Sequence, residues 1–177
     1  MPKYNPEPNP HTAERKSLPE VLEIFHFNDG GRAAAGFTGS SGDCVVRAIA
    51  IATGKSYREA HNALQNGLRH QIEIERRQGL EYGFAHQTKQ KPTPLTGLTS
   101  KVYGPYLKWL GWEYVHKPPK ADGKPLRLQP RLMPKGRLIV QVSRHLVAVI
   151  DGVIHDTYYS ALRGRRPIQG WYFRKPN

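Results

Sequence analysis

His145-Leu146-Val147-Ala148-Val149-Ile150-Asp151-Gly152-Val153-Ile154-His155-Asp156 is the stretch that decides how this chain folds. An apolar run of strand length meets Asp-Gly, a dipeptide that tolerates the positive φ angles of a two-residue hairpin turn. Val153 and Ile154 then begin a return strand. Counting outward from the turn, Ile150 pairs with Val153 and Val147 with Asp156, and His145 lies two residues further on. That diagonal spans about 7–8 Å at the backbone, within reach of an imidazole and a carboxylate. A one-residue difference in face between them calls for a bulge or loop.

Reading upstream, Leu138–Val142 has the same strand character, and Trp112–Val115 reads as another strand. Between them, residues 117–136 are rich in proline, lysine and arginine and read as a basic loop. Downstream, a basic loop at Arg163–Arg166 leads to a last strand, Trp171–Phe173.

The first half of the chain has a different period. Cys44, Val45, Ala48, Ile49 and Ala52 recur at helical spacing, with Gly54 where a helix stops. Asp43 and Ser41 stand ready to cap its first amides. Ser56 with Glu59 forms a capping-box signature for a second helix, running to about Gln78 and burying Tyr57, Ala60, Ala63, Leu64 and Leu68. A third helix is expected over Ser100–Leu110, burying Val102, Tyr106, Leu107 and Leu110, with Gly104-Pro105 delaying its start. Trp109 and Trp112 are expected in the core. Residues 79–98 and the Gly/Ser-rich segment Gly36–Gly42 read as loops. Asn28-Asp29-Gly30-Gly31 is a turn, and Val21–Phe27 a short strand or packing arm. Residues 1–20 are a flexible Pro-rich tail, which leaves 21–177 as one domain. Helices first, then an antiparallel sheet, make the expected fold class α+β.

Composition excludes several functions. No apolar run reaches eighteen residues, so no membrane span is expected. The first twenty residues lack the apolar centre of a signal peptide, and a lone cysteine suits a reducing compartment, so a cytoplasmic location is expected. No clustered metal ligands and no phosphate-binding glycine loop are present, so neither metal nor cofactor is expected. The net charge is +13, and residues 117–177 hold thirteen Lys/Arg against three Asp. Such a basic third attracts polyanions, either nucleic acid or an acidic protein. Arg163, Arg165, Arg166 and Arg174, interleaved with Tyr158, Tyr159, Trp171 and Tyr172, form the candidate basic binding face.

The chemistry turns on Cys44. At the first turn of a helix, unpaired amides and the positive dipole end stabilise a thiolate and hold a developing oxyanion. A thiol nucleophile needs a base, and eight histidines compete for the role. His145 and His155 stand apart because both flank the Asp-Gly hairpin; His145 opens a strand, and Asp156 ends the facing one. His145 is therefore the candidate base, Asp156 its orienting partner and His155 the reserve. Ser40, Ser41, Asp43 (through its backbone) and Gln141 are candidate oxyanion donors.

A cysteine opening a helix, a histidine beginning a later strand and an Asn or Asp on the next one resembles the papain-like cysteine peptidases. Ser41-Gly42-Asp43-Cys44-Val45-Val46-Arg47-Ala48 looks like the nucleophile motif of ovarian-tumour-type deubiquitinases. The His145–Asp156 hairpin looks more like that of bacteriocin-processing peptidases. The chain departs from those patterns at Thr38, where papain-like enzymes often carry an oxyanion glutamine, and at Ser41, where the deubiquitinase motif has aspartate. The resemblance implies a papain-like fold and hydrolysis or transfer of an amide or isopeptide acyl group, with a protein or peptide substrate. The alternative expectation is a basic binding module on the same scaffold, with catalysis weak or lost.

Overall fold

The computed structural model describes residues 23–39, 42–80, 92–116, 126–162 and 164–175. The Pro-rich tail expected over 1–20, Ser40, Ser41, Arg163 and the first part of the basic loop lie outside them. Among the described residues the fold is α+β, with three helices and a six-stranded mixed sheet. The strands are β1 (Phe25–Phe27), β2 (Trp112–His116), β3 (Arg137–Val142), β4 (His145–Ile150), β5 (Val153–Asp156) and β6 (Ile168–Arg174). The helices are α1 (Cys44–Thr53), α2 (Tyr57–Arg77) and α3 (Ser100–Trp109).

The sheet runs β1-β5-β4-β3-β6-β2. Every neighbouring pair is antiparallel except β1 with β5, which is parallel. This corrects the expectation of a wholly antiparallel sheet. The segment before the helices returns as an edge strand, fixed by Ile154 N–H donating to the Ile24 carbonyl at 2.8 Å and Asn28 N–H to that of Asp156 at 2.9 Å. It covers the backbone groups that β5 would otherwise present to solvent.

The Asp151-Gly152 hairpin forms as expected: both residues take positive φ (49° and 87°), and Ile150 pairs with Val153. Alternation along β4 then feeds two cores. Leu146 and Ala148 face α1 and α3 with Ile139 and Tyr172, while Val147 and Val149 join Leu138, Val140, Ile154 and Trp171 on the opposite face. Residues 126–136 of the basic loop lie against that second face, with Leu128 and Met133 buried.

Helix α1 is apolar almost all round, with Val46, Ala48, Ile49 and Ala52 buried, as a helix sandwiched between a sheet and another helix must be. Burial of a side chain such as Ile49 contributes roughly 1.5–3 kcal/mol. Gly54, at φ +73°, closes the helix as its left-handed cap. The Ser56–Glu59 capping box is formed in both directions and starts α2. Pro105 sits inside α3 without delaying its start, because its missing N–H deprives only a carbonyl on the exposed Lys101.

Two expectations for α3 are corrected. Tyr103 is fully buried, whereas Tyr106 is only half-buried. Trp109 is 77% exposed, because the stripe through Val102, Tyr103 and Leu107 turns its position outward, where it stacks on Tyr106. Trp112, on the following strand, is in the core as expected.

Candidate active site

Cys44 is the first residue of α1, His145 the first of β4 and Asp156 the last of β5. The helix packs against β4, so its N-terminus stands over the end of the sheet where both strands meet. His145 Nε2 lies 2.6 Å from Asp156 Oδ2, with both residues buried. The other carboxylate oxygen, Oδ1, accepts the Thr157 amide at 2.7 Å. Cys44, His145 and Leu146 line one cleft, and the His145 ring and the Leu146 amide both act on the thiol. With Nε2 turned to the carboxylate, Nδ1 is the ring nitrogen left for the thiol.

No bulge falls within the paired part of β4 and β5, from Ala148 opposite His155 to Ile150 opposite Val153. Val149 stands opposite Ile154, and steps of two along each strand carry that face to His145 and to Asp156. The two therefore share a face in plain register, and the one irregularity recorded in the sheet falls between β3 and β6 at Gln141/Val142. His155, the reserve candidate, points to the other face and pairs with His26, ring centroids 5.2 Å apart.

The electrostatics favour an ion pair. Burial pushes the Cys44 thiol up, but the hydrogen bond and charge of His145, the Leu146 amide and Arg47 outweigh it and hold the thiol below its ordinary value. Burial pulls His145 down, and Asp156 and Cys44 together overcome this and hold it well above the ordinary imidazole value. Both shifts favour a thiolate beside an imidazolium.

Beneath the triad lies a charge network that the sequence reading missed. Asp43 is fully buried, and its carboxylate takes hydrogen bonds from Arg47 and, at 2.5 Å, the Tyr57 hydroxyl. Arg32 adds an ion pair at 2.9 Å. Arg47, also buried, then reaches Asp156 Oδ1 at 3.7 Å. The Asp43 side chain is thus occupied and does not cap α1, which corrects that expectation. The signal was present: Arg47 interrupts an otherwise apolar helix and stands four residues after Asp43, the spacing of a helical ion pair.

A cleft of about 760 Å³ opens beside the thiol, with Gln141, Arg144, Tyr158 and Gln169 on one side and Thr96–Ser100 on the other. Gly42 ties the Thr96–Ser100 wall to the start of α1: its amide donates to the Leu95 carbonyl at 2.7 Å, and an added Cβ would lie 3.3–3.5 Å from the backbone of Leu95 and Thr96. Gln141 accepts from the Tyr114 hydroxyl at 2.9 Å through Oε1, which leaves its NH₂ group for the cleft. Of the oxyanion candidates, Gln141 thus lines the cleft and Asp43 offers only its amide; Ser40 and Ser41 lie outside the described residues.

The candidate basic face is not one surface. Arg165 and Arg166 precede β6 and Arg174 ends it, so they sit at opposite ends of the strand, and Arg163 lies outside the described residues. Arg166 is committed to the carbonyls of Ser160 and Ser143. Among the described residues, no group of three or more His, Cys, Asp and Glu is placed to hold a metal ion. Nor is any helix there long and apolar enough to cross a membrane. No protein-family model matches the chain, and no curated protein or solved structure matches it either.

Proposed function

We propose that this protein is a papain-like thiol hydrolase or acyltransferase acting on an amide or isopeptide bond. The observation that carries the proposal is the shared cleft of Cys44 and His145, with His145 held at 2.6 Å by the buried Asp156. The Cys44 thiolate attacks the substrate carbonyl carbon, and a C–S bond forms as the carbonyl π pair moves to oxygen. The amide at Cys44 and the Gln141 NH₂, from two residues lining the cleft, receive that oxyanion. As the intermediate collapses, the C–N bond breaks and the imidazolium of His145 gives its proton to the departing nitrogen. Water or another nucleophile, deprotonated by His145, then attacks the thioester and releases the thiolate. Asp156 fixes the tautomer and steadies the cation throughout.

The test is an acyl trap. With p-nitrophenyl acetate, mass spectrometry should find one acetyl group on Cys44, lost again with time, and none on the His145→Ala variant. Acetylation only of lysines, or equal acetylation of both proteins, would contradict the proposal.

A second reading, a basic module for nucleic acid or an acidic protein, is favoured by one observation. Exposed Trp109 borders a separate cleft beside Lys55, Arg137, Arg174 and Lys175. It requires salt-dependent binding of a labelled single-stranded oligonucleotide that survives Cys44→Ser and weakens in Arg174→Gln.

A further inference from the structure

We propose that Arg144 is the specificity-determining residue of the Cys44 cleft and selects acyl substrates with a carboxylate close to the scissile bond. The inference rests on the thiol chemistry proposed above. Arg144 is exposed, borders the cleft and immediately precedes the candidate base. Among the described residues lining the cleft none is Asp or Glu, and the other cations there are committed: Arg47 to Asp43 and Asp156, and the His145 ring to Asp156. Arg144 itself makes no hydrogen bond or ion pair with any described residue, so its guanidinium is available to a ligand.

The backbone points the same way. Val142 pairs with His145, so Ser143 and Arg144 form a two-residue turn in which Arg144 takes φ 55°. Glycine or asparagine adopts that conformation more easily, and the next hairpin does use Asp-Gly. An arginine held in a strained position beside a nucleophile is accounted for by a function of its side chain. A guanidinium offers a planar fork of donors that fits a carboxylate in two parallel hydrogen bonds. Gln169 and the Tyr158 hydroxyl add neutral donors along the same wall. A single uncommitted cation suits one carboxylate rather than a polyanion.

The test needs no substrate. Iodoacetate and iodoacetamide alkylate the same thiolate and differ by one carboxylate, so their rate ratio at Cys44 reads how the cleft treats that group. In Arg144→Asn, which suits a positive φ, the ratio of iodoacetate to iodoacetamide should fall roughly three- to tenfold, the effect of one nearby charge in partly solvated surroundings. Arg144→Lys should restore much of it, and Arg69→Gln, exposed on α2 and outside the cleft lining, should leave it unchanged. A ratio that does not change in Arg144→Asn while Cys44 stays reactive overturns this inference alone. Inertness of native Cys44 to both reagents overturns the thiol chemistry, and the inference with it. Protection of Cys44 by N-acetylglycine assigns a terminal carboxylate, and protection by N-acetyl-aspartamide a side-chain one; protection by neither at tens of millimolar also counts against it.

Discussion

The two ends of α1 carry clefts of similar size and opposite character. At the N-terminal end, a cleft of about 760 Å³ sits above Asp43, Arg47, His145 and Asp156, all buried and all paired. At the C-terminal end, a cleft of about 980 Å³ is bordered by Lys55, Arg137, Arg174 and Lys175 beside exposed Trp109. The far end gathers more cations, with Lys55 and Lys175 paired at the surface to Glu59 and Glu113, yet the perturbed thiol and imidazole lie at the near end. Desolvation accounts for the difference. Charges at a few ångströms interact strongly where water is excluded and weakly where it is not. The net charge of the chain therefore says little about where its chemistry lies.

Removing a buried charge tests the contrast most severely. Asp43→Asn leaves Arg47 and Arg32 without their shared anion and should cost about 3–5 kcal/mol in urea unfolding. A loss under 1 kcal/mol, the level of a surface pair, would show that this network is not desolvated.

A second measurement sharpens the contrast at the imidazole. His145 should titrate near 9 by NMR, above the ordinary 6.5, and in Asp156→Asn its value should drop because burial then opposes the proton with less support. Since the folded value is the higher one, the stability that protonated His145 contributes is complete below pH 6.5. It is lost as pH rises through about 9. An unchanged titration in Asp156→Asn would remove the carboxylate from the account.

The far end should yield the smallest effect. Trp109→Ala should change stability by no more than about 0.5 kcal/mol and leave Cys44 alkylation as it was. A large loss of either would show that the two ends are coupled through α1.

Much of this was legible in the sequence because it rests on local rules. Asp151-Gly152 fixed its hairpin through φ alone, and Ser56 with Glu59 started α2 through two hydrogen bonds. Cys44, His145 and Asp156 were readable because a helix start and two strand ends bracket them. What escaped depends on partners distant in sequence. The parallel pairing of β1 with β5 joins Phe25 to Ile154, which no periodicity encodes. The outward turn of Trp109 follows from which side of α3 meets the sheet. The role of Arg47 needed Asp156 beside it, 109 positions away in the chain, although its place in an apolar helix was a visible clue.

The most direct test of the central claim, that Cys44 and His145 form a thiolate–imidazolium pair, is the rate of alkylation of Cys44 by iodoacetamide against pH. It should be compared in the native protein and in His145→Ala. The account predicts rapid alkylation that persists well below the ordinary thiol range in the native protein. In the variant the midpoint should move upward, since burial, the largest single influence on this thiol, is then less opposed. Profiles that coincide, or a native thiol that reacts only above its ordinary range, would contradict it.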